Sequence, residues 1–217
     1  MTSSLVGSEM CIRDRDALDL IEFCNGDEST KWGGLRSSMG HKEPFGLTLL
    51  GVGNEQWEAD GNQWYERYEA FETVIHSVYP DIKIISSAGP SPDGDNFDSA
   101  WERIRMNMTK NTGFTYAVDE HFYKPGEWFL NNDLRYDDYD RSIKVFAGEY
   151  AAKQDGNTLY SAVAEAAFMT GLERNADVVY MASYAPLFCR INYMQWETNM
   201  IWFNAVSYTH LTLPTNS

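Results

Sequence analysis

Short apolar runs alternate with helically periodic segments along most of this chain, and that alternation limits its fold more than any other feature. Leu47–Asn54 (LTLLGVGN), Ile82–Ser87 (IKIISS), Ala117–Tyr123 (AVDEHFY), Ile143–Tyr150 (IKVFAGEY) and Val178–Tyr184 (VVYMASY) each read as a strand. Ala17–Cys24 (ALDLIEFC) reads as a further strand, ending at the turn Asn25-Gly26-Asp27. Between them, Ala59–Val78 sets Trp64, Tyr68, Phe71, Ile75 and Val78 at helical spacing. Asp95–Lys110 does the same with Trp101, Ile104 and Met108, and Asn157–Arg174 is a small-residue-rich amphipathic helix. Lys124–Arg141 reads as a long, acidic, aromatic loop. The order is β, loop, β-α-β-α-β, loop, β-α-β. Strands that are apolar almost throughout suit a parallel sheet covered on both faces. The expected class is α/β: a partial (β/α)8 TIM barrel, with an open doubly wound sheet as the alternative. No Gly-x-Gly-x-x-Gly follows a strand and there is no phosphate loop; Gly51-Val52-Gly53-Asn54 is too short for either.

Composition removes several function classes. There are 32 acidic and 17 basic residues, a net charge of −15, and a nucleic-acid binder needs the opposite balance. Hydrophobic residues make up 43%, which suffices for a packed core. No apolar run approaches the ~18 residues of a membrane helix, and the start has no signal-peptide core; the cellular location stays open. Three cysteines, at 11, 24 and 189, do not make a disulfide framework. Seven Trp and 13 Tyr suit sugar stacking as well as a core.

The two ends read as foreign to the body. Met10–Asp14 can be encoded by DNA whose reverse complement encodes Val206–His210, and the match extends to Ser8–Arg15 against Ala205–Thr212. This inverted repeat resembles the mosaic-end adapter of transposon-based library preparation. The expected organisation is therefore an adapter-derived tail at 1–15, a partial catalytic barrel at 16–204, and a second such tail at 205–217.

Two glutamates close two of the strands: Glu55 after Leu49-Leu50-Gly51-Val52-Gly53-Asn54, and Glu149 after Val145-Phe146-Ala147-Gly148. In a barrel, the C-terminal strand ends form one rim, and active sites sit there. A facing pair of carboxyl groups can cut a glycosidic bond if one holds a proton near neutral pH and the other stays ionised. A single glutamate at a strand end is more commonly a solvated or ion-paired residue. Glycine just before each leaves room for a close backbone or ligand approach. Asn54 can bond a sugar hydroxyl. His121 and Tyr123 close another strand, and alternation around Phe122 lets both point one way. No His-Glu-x-x-His or Cys-x-x-Cys spacing supports a metal, and no Gly-x-Ser-x-Gly elbow supports a serine nucleophile. Neither a metal nor another cofactor is expected.

At these residues the sequence resembles the α-L-arabinofuranosidases of glycoside hydrolase family 51. The resemblance covers essentially all of 16–204. It rests on Ile21-Glu22-Phe23-Cys24-Asn25-Gly26, Trp32-Gly33 with Arg36, Gly40-His41, Glu43-Pro44-Phe45, and Gly53-Asn54-Glu55-Gln56-Trp57. It continues through Val145-Phe146-Ala147-Gly148-Glu149-Tyr150, Tyr184-Ala185-Pro186-Leu187-Phe188 and Met200-Ile201-Trp202-Phe203-Asn204. The resemblance implies a (β/α)8 barrel that lacks its first strands and a following β-sandwich. It implies Glu55 as acid/base after barrel strand four and Glu149 as nucleophile after strand seven. Asn54 would bind the sugar near its 2-hydroxyl, Tyr123 would touch the nucleophile, His121 would line the pocket, and Trp32 and Asn25 would sit on the rim. The implied partner is an arabinofuranosyl-containing saccharide, with retention of configuration. Another retaining barrel glycosidase, such as an endo-glucanase or xylanase, and an inactive carbohydrate-binding fragment are the alternatives; oligomeric state is left open.

Overall fold

The computed structural model describes residues 15–58 and 63–204. The expected tails fall outside these residues, apart from Arg15, which is helical. The chain divides into two compact units, 1–118 and 119–217.

The first unit opens with a helix, α1, at 15–25, where a strand was expected. The run is apolar enough to suggest a strand, but Ala17, Ile21 and Cys24 recur at helical spacing. Ile21 is fully buried while its neighbour Leu20 is exposed. α2 (Lys31–Ser38) follows, capped by Thr30, whose hydroxyl accepts from Gly33 N–H at 3.1 Å. The chain then runs β1 (Leu49–Gly51), α3 (Trp64–Val78), β2 (Lys83–Ser87) and α4 (Asp95–Met108). β1 pairs with β2 in parallel, Leu49 opposite Lys83 and Gly51 opposite Ile85. The core here is Trp64, Tyr68 and Ile75 of α3, Ile84 and Ile85 of β2, and Trp101 and Ile104 of α4. The buried Tyr68 hydroxyl is satisfied by donating to Phe114 O at 3.0 Å.

β3 (Ala117–Lys124) carries the chain into the second unit, followed by α5 (Gly126–Asn131), β4 (Lys144–Ala152), α6 (Leu159–Arg174) and β5 (Val179–Tyr184). β4 and β5 pair in parallel, with the register shifting between Val145 and Phe146 and again between Ala147 and Tyr150. Two short parallel strands, β6 (Phe188–Arg190) and β7 (Ile201–Phe203), form a separate ladder that the sequence pattern does not announce. α6 is capped by Thr158, whose hydroxyl accepts from Ser161 N–H.

The large sheet has the order β1-β2-β3-β4-β5. Each strand lies beside its successor, as in a segment of a (β/α)8 barrel, whereas a doubly wound sheet reverses direction at a switch point. The fold is therefore α/β with part of a (β/α)8 barrel, and the open-sheet alternative falls.

The expected long loop at Lys124–Arg141 is a packed segment. It contains α5, and its Trp128, Phe129 and Tyr136 stack against Phe122 of β3 and Phe168 of α6. Glu120, fully buried on the same face of β3 as Phe122, holds the segment in place. It accepts from Tyr136 at 2.9 Å and Tyr139 at 3.0 Å, and pairs with Arg135 at 3.3 Å. Among the described residues no helix is long and apolar enough to cross a membrane.

Candidate active site

In the first unit the segment after β1 shapes the setting of Asn54 and Glu55. Val52 N–H still bonds Ile85 O at 2.9 Å, so strand pairing persists one residue past β1. Gly53 then takes φ +89°, and Glu55 itself φ +50°. A left-handed non-glycine residue costs roughly 1–3 kcal/mol, and such strain gathers at functional sites. The turn is held from β2: Ser87 Oγ accepts from Gln56 N–H at 3.0 Å and from Gly89 N–H at 3.1 Å. Gln56 Nε2 also donates to Asn54 O at 3.0 Å. Asn54 is exposed and Glu55 half-buried. The room left at Gly53 is filled by protein: a Cβ there would collide with the Trp64 ring and stand 2.9 Å from Gln56 Cγ.

In the second unit, Glu149 does not close its strand but lies within β4, which runs on to Ala152, and Asp119, His121 and Tyr123 share one face of β3. The Tyr123 hydroxyl donates to Glu149 Oε2 at 2.7 Å. His121, 2% exposed, places Nδ1 3.7 Å from the same oxygen. Its other nitrogen, Nε2, lies 3.2 Å from Asp119 Oδ2. Glu149 keeps 33% of its side chain open to solvent. One imidazole therefore stands between two carboxylates, and one carboxylate oxygen accepts the Tyr123 hydroxyl with the His121 ring close by. At Gly148 too, the space is taken by protein: a Cβ would run into Asp119 Oδ1 and come within 2.9 Å of Asp119 Cγ.

Asn25 and Trp32 belong to the first unit. The Asn25 amide clasps the backbone of Leu47, donating to its carbonyl at 2.8 Å and accepting from its N–H at 2.7 Å, so it fixes the approach to β1. Trp32 N–H donates to Glu22 Oε1 at 2.8 Å; its ring lies 4.2 Å from Lys31 Nζ, and its indole N–H is buried with no hydrogen-bond partner among the described residues. Asp119 and Ser87 were not singled out from the sequence. Only the i, i+2 spacing of Asp119 from His121 on a strand hints at the first, and a serine at a strand end carries no signal.

A family profile described as the α-L-arabinofuranosidase 1 domain matches residues 3–141, and one described as the α-L-arabinofuranosidase C-terminal domain matches residues 126–213. An extracellular exo-α-L-arabinofuranosidase of Streptomyces chartreusis is 49% identical over 191 residues, covering 88% of this chain and 22% of that protein. A probable α-L-arabinofuranosidase A of Aspergillus oryzae is 39% identical over 198 residues, covering 87% of this chain and 28% of that protein. The chain thus spans about a quarter of the length of these relatives. Among solved structures, an arabinose-bound MgGH51 α-L-arabinofuranosidase superposes with a TM-score of 0.74 at 33% identity, over 92% of this chain and 32% of that one. The α-L-arabinofuranosidase of Thermotoga maritima, in its arabinose complex, shares the fold at a TM-score of 0.62 and 18% identity, over 81% of this chain and 41% of that one.

Proposed function

The chain belongs to the α-L-arabinofuranosidases of glycoside hydrolase family 51, and from that membership we propose that it carries the catalytic centre of an enzyme releasing terminal α-L-arabinofuranosyl residues from arabinose-containing oligosaccharides and polysaccharides. The reaction is a double displacement with retention. Glu55 protonates the glycosidic oxygen as the aglycone leaves, and Glu149 attacks the anomeric carbon to form a covalent arabinosyl ester. Glu55 then takes a proton from water, which displaces Glu149 from the same carbon. A retaining pair of carboxyl groups works at a separation of about 5–5.5 Å; in this reading Asn54 bonds the sugar near its 2-hydroxyl, and Trp32 and Asn25 belong to the sugar-binding residues.

The observation that carries the reading is the setting of Glu149. Tyr123 and His121 both address Oε2, so Oε1 is the oxygen that attacks. The Tyr123 hydroxyl can only donate to an ionised partner, which holds the nucleophile in a single rotamer.

Substitution with chemical rescue tests the assignment. Glu149→Ala should abolish turnover of an activated aryl α-L-arabinofuranoside, and added azide should then yield the arabinosyl azide of inverted configuration. Glu55→Ala with azide should yield the retained azide. Undiminished turnover by Glu149→Ala, or inverted product from Glu55→Ala, would remove these roles.

A further inference from the structure

Ser87 takes no part in the two steps above, yet its hydroxyl joins the turns that follow two neighbouring strands. It is the last residue of β2 and is 2% exposed. Its Oγ accepts from Gln56 N–H, in the turn after β1, at 3.0 Å. The same oxygen accepts from Gly89 N–H, in the turn after β2, at 3.1 Å. A serine oxygen has two lone pairs, and both are engaged here by backbone. The first bond bears directly on Glu55. Gln56 N–H and Glu55 C=O lie in one planar peptide unit, so fixing the direction of that N–H fixes the ψ of Glu55. Glu55 also holds φ at +50°, a region that is unfavourable for a non-glycine residue and persists where the surroundings impose it. Gln56 Nε2, donating to Asn54 O at 3.0 Å, closes the turn from within, and Ser87 holds it from the next strand.

We propose that Ser87 is a positioning residue for the acid/base: by holding the Gln56 peptide it keeps the backbone of Glu55 in its left-handed turn, and so keeps the carboxyl aimed at the glycosidic oxygen. The proposal rests on the reading of Glu55 as acid/base. Burial explains why the hydroxyl matters. At 2% exposure water does not readily replace a deleted Oγ, so both N–H groups would lose their acceptor. The Gln56 N–H regains one only if its peptide rotates, and that rotation shifts the ψ of Glu55 and re-aims its side chain. A displaced acid leaves its own kinetic mark. Proton donation matters more as the leaving group becomes more basic. A dinitrophenolate departs without a proton, whereas an alkoxide needs one. Displacing Glu55 therefore slows the first step for poor leaving groups and leaves departure of an activated phenolate nearly untouched. It slows the second step for every substrate, because there Glu55 takes the proton of water.

Two measurements test this. In the 217-residue chain the Gln56 amide should be protected from hydrogen exchange, and Ser87→Ala should speed its exchange on the order of tenfold or more. In an active enzyme carrying this segment, Ser87→Ala should lower kcat/KM for an alkyl α-L-arabinofuranoside on the order of tenfold to a hundredfold, and for the dinitrophenyl arabinofuranoside by less than about threefold. With the dinitrophenyl substrate kcat should fall, and azide, which needs no base, should restore it and yield the arabinosyl azide of retained configuration. A change that merely destabilises the fold lowers both substrates alike. Ser87→Cys, whose sulfur is a weak acceptor of similar shape, should move both readouts the same way by a smaller factor, and it serves if Ser87→Ala does not fold. An equal fall for the two substrates, no fall in either, or an unprotected Gln56 amide in the unsubstituted chain overturns the proposal. Glu55→Ala sets the reference. If it shows the steep dependence on leaving group and Ser87→Ala does not, Ser87 alone loses its role. If Glu55→Ala lacks that dependence, the acid/base reading fails and takes the catalytic value of Ser87 with it, while the Gln56 exchange still reports what holds the turn.

Discussion

Glu149 and Glu165 each accept a tyrosine hydroxyl but differ in burial. The Tyr123 hydroxyl donates to Glu149 Oε2 at 2.7 Å. A hydrogen bond to a charged group contributes about 1.5–3 kcal/mol, so Tyr123→Phe should lower kcat roughly tenfold to a hundredfold with a much smaller change in KM, measured by steady-state kinetics on an aryl arabinofuranoside. Glu165 of α6 is almost fully buried and accepts from Ala152 N–H and from the Tyr184 hydroxyl. Burial raises its carboxyl above the ordinary value, against the downward pull of those two bonds. Folding thus favours the protonated acid. Its contribution to stability is complete below the ordinary value of 4.5 and is lost as pH rises through the raised one. The Tm of the wild type should therefore fall, relative to Glu165→Gln, as pH is raised from about 4 to 8; a pH-independent difference would refute this. Of these residues the sequence displayed Glu149 and Tyr123, because a glutamate and a tyrosine at strand ends carry their chemistry openly. It hid Glu165, which sits in an ordinary amphipathic helix, and Asp119, whose meaning depends on the missing side chain at 148.

Elements were legible wherever the apolar period was long. α4 and α6 begin and end close to their expected bounds, and so do β2, β3, β4 and β5; α3 ends at Val78 as expected but starts only at Trp64, and β1 is shorter than the expected Leu47–Asn54. The failures have physical causes. In α1 an eight-residue apolar run was too short to separate strand from helix by pattern. The Lys124–Arg141 segment is polar in sequence, yet it packs through one buried ionic network that sequence pattern cannot reveal. That network makes a prediction. Arg135 is held between the Glu120 carboxylate and the rings of Phe122, Trp128, Tyr136 and Tyr139. Arg135→Met should destabilise by about 3–5 kcal/mol, because it strands a buried carboxylate. Adding Glu120→Leu should recover much of that loss while loosening the 125–141 segment, which loses the acceptor for both tyrosine hydroxyls. Urea melts and hydrogen exchange of that segment measure the two effects. Arg36 solves a similar problem differently. Fully buried in α2, it donates to the carbonyls of Phe23, Cys24, His41 and Lys42, tying α1 to the stretch before β1.

At the scale of the molecule, alternation along the chain was enough to name an α/β class, but not to choose between a barrel and a doubly wound sheet. Strand order decides that, and strand order is a property of long-range pairing. Among the described residues, β1 and β5 stand at the two ends of that order, each with one strand neighbour in the sheet. Unpaired strand edges template association with other chains. The net charge of −15 opposes it, and salt screens that repulsion. The 217-residue chain should therefore self-associate with rising concentration, and more strongly at high ionic strength; sedimentation velocity across a salt series checks both trends.

The collision that a Cβ at 148 would make with Asp119 also has an evolutionary consequence. The two positions share one volume, although they lie 29 positions apart in sequence. Bulk at 148 displaces the Asp119 carboxylate unless 119 has shrunk first, so the order in which substitutions arrive changes what each one costs. A combinatorial library at both sites should return survivors along a trade-off between the two sizes, with large-large pairs absent.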